Sequence, residues 1–324
     1  MRLTRFACAL LMLAVPLLAG TSPVSAQDFP NRPLHLIVPT PSGTSTDIIA
    51  RLVANELSQR IKQAVVVDNK TGAGGLVGVN ALKQATPDGY TFGLLVSGNV
   101  IQPWLQKDIP FDVRRDFTHL TLMYTGEYIL TVPAAFPANT LTEFIAFAKA
   151  NPKKVFFGSA GTGTTTHLSG EKLKQAASVE ITHIPFKGSP AVYAAMLGGD
   201  VQAYFDLYGT AKPLLDGGRV RALGVTSRTR MAALPQVPAI AESYPGFEVT
   251  VWTSFAYPAG TPKTAVERLT ADLRAAFQVP ELRRRLAENG VNPGGNSPEE
   301  LTQFINGEFE KWGKTIQAAG LKPE

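Results

Sequence analysis

Lys154-Val155-Phe156-Phe157-Gly158-Ser159-Ala160-Gly161-Thr162-Gly163-Thr164-Thr165-Thr166-His167 reads as a strand, Lys154 to Phe157, that runs into a loop of glycine, serine and threonine, with a helix beginning near His167. The same arrangement recurs upstream. Pro33 to Pro39 is a strand, Thr40 to Thr46 is a loop, and Ile48, Ile49, Leu52, Val53, Leu57 and Ile61 then follow at helical spacing. It recurs a third time at Ile181 to Pro185, where Phe186 to Pro190 opens a helix with proline at its first position. Strands that alternate with helices through short loops make an α/β fold.

These three loops also carry the chemistry. The first turn of a helix has backbone N–H groups without intrahelical partners, and the helix dipole adds partial positive charge there. Small residues let an anion approach those amides, so Thr40 to Asp47, Gly158 to His167 and Phe186 to Pro190 are candidate carboxylate or phosphate sites. Hydroxyls on Ser45, Thr46, Thr162, Thr164 and Thr165 are candidate additional donors. Each loop taken alone reads first as a set of ordinary helix caps, since Ser, Thr and Asp are cap residues. Three in one chain point to a shared anion site.

The rest of the chain continues the pattern. Ala64 to Val67 is a strand before the glycine-rich Gly72-Ala73-Gly74-Gly75, Val79 to Ala85 is helical, and Tyr90 to Val96 is a strand. Thr140 and Glu143 form a capping box. Val201 to Phe205 and Val220 to Thr226 are strands, Thr261-Pro262 and Ser297-Pro298-Glu299-Glu300 start the last helices, and Leu301, Phe304, Ile305, Phe309, Trp312 and Ile316 form an apolar stripe. No linker separates two sequential domains, which fits interleaved lobes.

The 324 residues, 44% hydrophobic and 18% charged, suit about two globular domains. Residues 1–26 differ from the rest. Arg2 and Arg5 precede an apolar run from Phe6 to Gly20, and Val24-Ser25-Ala26 places small residues where a signal peptidase cuts. This is a secretory signal peptide, expected to be cleaved after Ala26, and the run is short for the roughly 20 residues of a membrane span. Cys8, the only cysteine, lies inside it, so the exported chain has no disulfide. The formal charge of +5 loses two positive charges with Arg2 and Arg5, and Arg283-Arg284-Arg285 reads as a solvated helix face rather than a nucleic-acid patch.

Enzyme motifs fail on inspection. Gly72 to Gly78 has Val77 where a dinucleotide fingerprint needs glycine, and no P-loop lysine motif or nucleophile elbow occurs. His35, His119, His167 and His183 lack metal-ligand spacing, and no cofactor is expected. Three residues keep two readings each. Asp47 is a helix cap or a hydrogen-bond acceptor for a ligand donor or water. His167 is a packed or surface histidine or a ligand contact. Asp206 faces a cleft or caps a turn.

An ordered series of landmarks resembles the Bug family, the substrate-binding receptors of tripartite tricarboxylate transporters. It includes Asp47-Ile48-Ile49-Ala50-Arg51, Val67-Asp68-Asn69, Pro87-Asp88-Gly89-Tyr90, Phe157-Gly158-Ser159-Ala160-Gly161, His167-Leu168-Ser169-Gly170-Glu171, Pro185-Phe186-Lys187-Gly188 and Arg221-Ala222-Leu223-Gly224-Val225-Thr226. The resemblance spans the chain after residue 26. It implies a type II periplasmic binding protein, a two-lobed Venus flytrap, with one lobe at 27–127 plus 253–324 and the other at 128–252. It implies a small carboxylate held by the first and second loops, which here offer Thr40, Ser42, Thr44, Ser45, Thr46 and Asp47, then Ser159, Thr162, Gly163, Thr164, Thr165 and His167. Ser97, Lys187, Gly188 and Asp206 complete the candidate site. Thr40 stands where family members carry an aromatic residue, Thr44 stands where they carry a second glycine, and Val96-Ser97-Gly98-Asn99 departs from their Ser/Thr-rich stretch. These changes alter pocket size and polarity.

The expected function is capture of a small carboxylate in the periplasm by a monomer that delivers it to inner-membrane transporter subunits. A solute sensor feeding a membrane signalling partner is the alternative. A secreted hydrolase lacks a nucleophile–base pair, and a nucleic-acid partner is not expected.

Overall fold

The computed structural model describes residues 29–318; the segment assigned to export, 1–26, lies outside them. The strands are β1 (Leu34–Val38), β2 (Val65–Asn69), β3 (Thr91–Val96), β4 (Phe117–Pro133), β5 (Val155–Ser159), β6 (Ile181–Pro185), β7 (Ala203–Leu207), β8 (Val220–Val225), β9 (Thr250–Pro258) and β10 (Val291–Pro293). The helices are α1 (Ser45–Ile61), α2 (Leu76–Lys83), α3 (Gly98–Ile101), α4 (Leu141–Ala150), α5 (Thr165–Ala177), α6 (Ser189–Gly198), α7 (Tyr208–Asp216), α8 (Lys263–Ala276), α9 (Pro280–Glu288) and α10 (Pro298–Ala318).

Two sheets share β4. In the first, β2, β1 and β3 are parallel, and β9 joins β3 to β4 by antiparallel pairing on both sides. In the second, β6, β5 and β7 are parallel, and β7 pairs antiparallel with β4. The change of sheet is abrupt. Glu127 pairs with Thr250 of β9, and the next residue, Tyr128, pairs with Leu207 of β7. Thr226 ties this crossing to the return crossing. Its amide donates to the Tyr128 carbonyl at 2.9 Å, and its hydroxyl accepts from the Tyr128 amide at 2.9 Å and donates to the Val249 carbonyl at 2.7 Å.

The inner parallel strands β1, β3, β5 and β7 are buried because helices cover them, while the edge strands β2 and β6 stay partly exposed. On α1, Ile49, Val53 and Leu57 recur at helical spacing, are at most 1% exposed, and belong to the same buried cluster as Leu34, Leu36 and Val38 of β1. Lys62 ends α1 in the left-handed conformation.

Two helix starts differ from the sequence reading. Helix α1 begins at Ser45 and α5 at Thr165, each earlier than its first periodic apolar residue, because Thr44 and Thr164 cap them. Thr140 caps α4 by accepting the Glu143 amide, but the Glu143 carboxylate accepts the Asn139 amide rather than that of Thr140, so the expected box closes one residue early; Ser297 and Glu300 form a reciprocal box, Glu300 donating its amide to the Ser297 hydroxyl and accepting the Ser297 amide on its carboxylate. The arginine run lies on α9, where Arg284 pairs with Glu281 and Glu288 and Arg285 pairs with Glu281.

Candidate ligand-binding cleft

A cavity of about 550 Å³ lies between the two sheets. Four helices begin at its wall: α1 at Ser45, α5 at Thr165, α6 at Ser189 and α7 just after Leu207. Their dipoles point partial positive charge at one space. Among the described residues, Lys187 is the only base lining it and Asp206 the only acid.

The starts of α1 and α5 are built alike, as Gly43-Thr44-Ser45-Thr46 and Gly163-Thr164-Thr165-Thr166. Each glycine has positive φ, +81° at Gly43 and +76° at Gly163, a conformation glycine adopts without a side-chain penalty. The threonine that follows accepts a hydrogen bond from the third helical amide: Asp47 to Thr44 at 3.3 Å, and His167 to Thr164 at 3.4 Å. Among the described residues, the amides of Ser45, Thr46, Thr165 and Thr166 donate to no protein acceptor. All four residues line the cavity, so two pairs of free donors face it from opposite sheets.

The hydroxyls are committed elsewhere. Ser45 bonds Thr210 of α7, Ser97 bonds Thr165 at 2.7 Å, Thr46 bonds Tyr124 at 2.9 Å, and Ser189 bonds Tyr204 at 2.8 Å. The first two pairs cross the cleft. Thr164 Oγ1 lies 2.6 Å from the Gly161 carbonyl and 2.9 Å from Thr166 Oγ1.

Of the residues singled out from sequence, Thr40, Thr44, Ser45, Thr46, Ser97, Thr162, Thr164, Thr165, Lys187, Gly188 and Asp206 line the cavity. Ser42, Asp47, Ser159, Gly163 and His167 do not; they hold the loops that do. Asp47 is the third helical residue rather than the cap. Its carboxylate accepts from the Gly43 amide at 3.0 Å, Asn69 at 2.8 Å and Arg51 at 3.1 Å, with Ser42 at 3.4 Å. Burial alone would raise its pKa, but the bonds from Arg51, Asn69 and Gly43 hold it below the ordinary carboxylate value. Ser159 bonds His183 Nε2 at 2.6 Å, and Gly163 donates its amide to His167 Nδ1 at 3.3 Å. The two imidazoles stack with centroids 3.9 Å apart. Burial lowers both pKa values, that of His183 to about 4, helped there by His167 and Lys174.

Several cavity residues went unnoticed in the sequence. Tyr124 and Tyr128 come from β4, Tyr204 from β7 and Thr253 from β9. The Thr71 to Gly75 loop also lines the cavity, and a Cβ on its Gly74 would meet the Thr162 carbonyl at 3.2 Å. That glycine permits a close approach between the two sides.

A sequence profile of the tripartite tricarboxylate transporter family receptors matches residues 49–321. The chain belongs to this family. The receptor is similar to Rpa4515 of R. palustris, solved with adipate: 33% identity and a TM-score of 0.88, over 92% of this chain and 100% of that one. It is similar to the periplasmic binding protein BugD, with 31% identity and a TM-score of 0.87 over 91% of this chain and 100% of that one. It is similar to MatC from Rhodopseudomonas palustris with bound malate, with 28% identity and a TM-score of 0.83 over 89% of this chain and 100% of that one. The fold is that of a two-lobed periplasmic binding protein, and the family is one of solute receptors, not enzymes. Among the described residues, no helix is long and apolar enough to cross a membrane.

The two departures from the family pattern in the first loop of this receptor touch each other. Thr44 Oγ1 lies 3.1 Å from Thr40 Oγ1 and 2.9 Å from the Pro41 carbonyl. Thr44 is 7% exposed and its hydroxyl is bonded within the loop, and both threonines line the cavity.

Proposed function

We propose that this receptor captures a small carboxylate in the periplasm and presents it to inner-membrane transporter subunits. The observation that carries the reading is the facing pair of Gly-Thr-Ser/Thr-Thr helix starts, whose free amides converge on one cavity with a single lysine. Carboxylate oxygens accept such amides directly, and the helix dipoles favour the negative charge. The similar receptors with adipate and with malate support the same class of solute.

The lobes proposed are 27–127 plus 253–324 and 128–252. The switch of β4 between Glu127 and Tyr128 supports the first boundary, and the pairing of Thr250 with Glu127 favours a second boundary slightly before 253. Export with cleavage after Ala26 belongs to the same reading, and N-terminal sequencing of periplasmic protein should begin at Gln27.

A thermal-shift screen over mono- and dicarboxylates, including adipate and malate, tests the solute class. A ligand present at 100 times its Kd and bound only by the folded state adds about 2.7 kcal/mol. A rise in midpoint with carboxylates and not with sugars or amines is expected. Silence from all carboxylates alongside a response to a neutral or cationic solute would refute the proposal.

A further inference from the structure

Asp206 ends β7 at the cavity wall and is 4% exposed. Its Oδ1 accepts from the Ser189 hydroxyl at 3.0 Å and from the Leu207 amide at 2.9 Å. Among the described residues, its Oδ2 is buried with no hydrogen-bond partner. The groups packed around it are hydroxyls: Tyr204 on its own strand, Ser189 and Tyr193 on α6, Tyr124 and Tyr128 on β4. No cation and no second carboxylate contributes to its ionisation. The one base lining the cavity, Lys187, is exposed at the loop before α6.

With no cation beside it and hydrogen bonds only on Oδ1, a charge on Asp206 is costly in this buried site. The Tyr193 hydroxyl is also buried without a partner, and the Asp206 charge opposes its ionisation. A proton on Asp206 removes that buried charge. Burial pushes the Asp206 pKa up to about 7, against the bonds from Ser189 and the Leu207 amide and the opposing effect of the Tyr193 hydroxyl.

The same cavity gathers four helix starts for an anion. Two negative charges in one water-poor space repel, so an anion entering it strengthens the hold on the proton.

We infer that the receptor closes over its anionic solute together with one proton, held on Asp206, so that this residue selects the solute by charge. The inference rests on the carboxylate reading above. Protonated Asp206 thereby accommodates an acid without a clash of like charges.

Two measurements test this, the first without any solute. The unfolding midpoints of the wild type and Asp206→Asn are compared from pH 4 to pH 8. A carboxyl whose pKa is raised in the folded state loses stability as pH rises from its unfolded value to its folded one. The midpoint of Asp206→Asn relative to wild type should therefore rise between about pH 4 and 7 and level off above. A constant difference overturns the buried proton. The second measurement is calorimetric titration with adipate between pH 6 and 8 in two buffers of different ionisation enthalpy. Wild type should take up little proton per adipate at pH 6 and close to one at pH 8, with affinity weakening by up to about tenfold per pH unit above about pH 7, and both effects should vanish in Asp206→Asn. Proton release, pH-independent binding or an unchanged slope in the variant overturns the coupling. If the first measurement succeeds and no carboxylate binds at any pH, the carboxylate reading and the anion coupling both fall, and the buried proton alone stands.

Discussion

Ser97 and Thr165 share a hydrogen bond of 2.7 Å across the cleft, one hydroxyl following β3 of the first sheet and the other opening α5 beside the second. Ser45 and Thr210 form a second bridge of the same kind, reinforced by the Thr210 amide, which donates to Ser45 Oγ at 3.0 Å. Hydroxyls beside helix starts that invite a role in solute contact instead join the two lobes to each other.

These bridges exist only when the cleft is closed, so removing one favours opening. Thr210→Val, which removes a hydroxyl outside the cavity lining, is expected to weaken carboxylate binding about 3- to 10-fold, the worth of one neutral hydrogen bond. The loss should appear as faster dissociation in stopped-flow or surface-based kinetics. A change confined to the association rate would point to direct solute contact instead.

Gly188 has φ of +89°, and a Cβ there would stand 2.9 Å from Pro41 Cγ on the opposite side of the cleft. Gly188→Ala is expected to obstruct closure and cut affinity at least about tenfold, beyond the roughly 1 kcal/mol of backbone strain such a substitution costs. Gly199→Ala is the control. Its φ is +94° and nothing lies within 4 Å of the added carbon, so it should lower the melting temperature and leave affinity intact. Equal affinity losses in the two variants would show that strain, not obstruction, is responsible.

Asp47→Ala should lower stability by about 2–3 kcal/mol at pH 7, because it strips charged hydrogen bonds from the Gly43 amide and Asn69. The carboxyl is held below its ordinary value in the folded protein. Its contribution is therefore present above the unfolded pKa and is lost as pH falls through the folded one. Urea unfolding of wild type and variant should show the gap narrowing below about pH 4; a gap that persists unchanged at pH 2 would contradict the network.

The stacked pair His167 and His183 gives a separate acid response. His183 has its pKa lowered to about 4 in the folded protein. The unfolded chain takes up protons first as pH falls, so stability drops between about pH 6.5 and 4, by roughly 1–3 kcal/mol. His183→Gln should flatten this part of the melting profile, measured by circular dichroism. A profile as steep as wild type would mean the imidazole is protonated without cost.

The local parts of the fold were legible along the chain. Apolar residues at helical spacing announce α1, the Thr140–Glu143 box announces α4, and Ser189-Pro190 announces α6, because each signal lies within a few neighbouring residues. Strand β4 was not legible. Its two halves lie in different sheets and are covered on both faces, so Thr118, Thr121, Thr125 and Glu127 interrupt any simple alternation. The tyrosines it sends into the cavity were hidden with it. Gly72 to Gly78 resembles a broken dinucleotide fingerprint, whereas Gly74 serves a close approach to Thr162, a requirement set by a distant segment. Likewise the sequence displays hydroxyls at helix starts, but their pairing across the cleft depends on the closed arrangement.

The insertion of β9 between β3 and β4 governs how the chain folds. The first sheet has its three parallel strands early in the sequence, yet the strand that joins them to β4 is made only after the whole second sheet. Contacts of such long sequence separation carry a large loop-closure cost and slow folding. A nascent chain emerging N-terminus first therefore cannot complete its first sheet until translation has passed Pro258, which keeps the early strands unpaired with β9 during synthesis. Fragments ending before β9 should consequently expose the flank of β3, where a docked chaperone or a second unfinished chain would find open backbone groups.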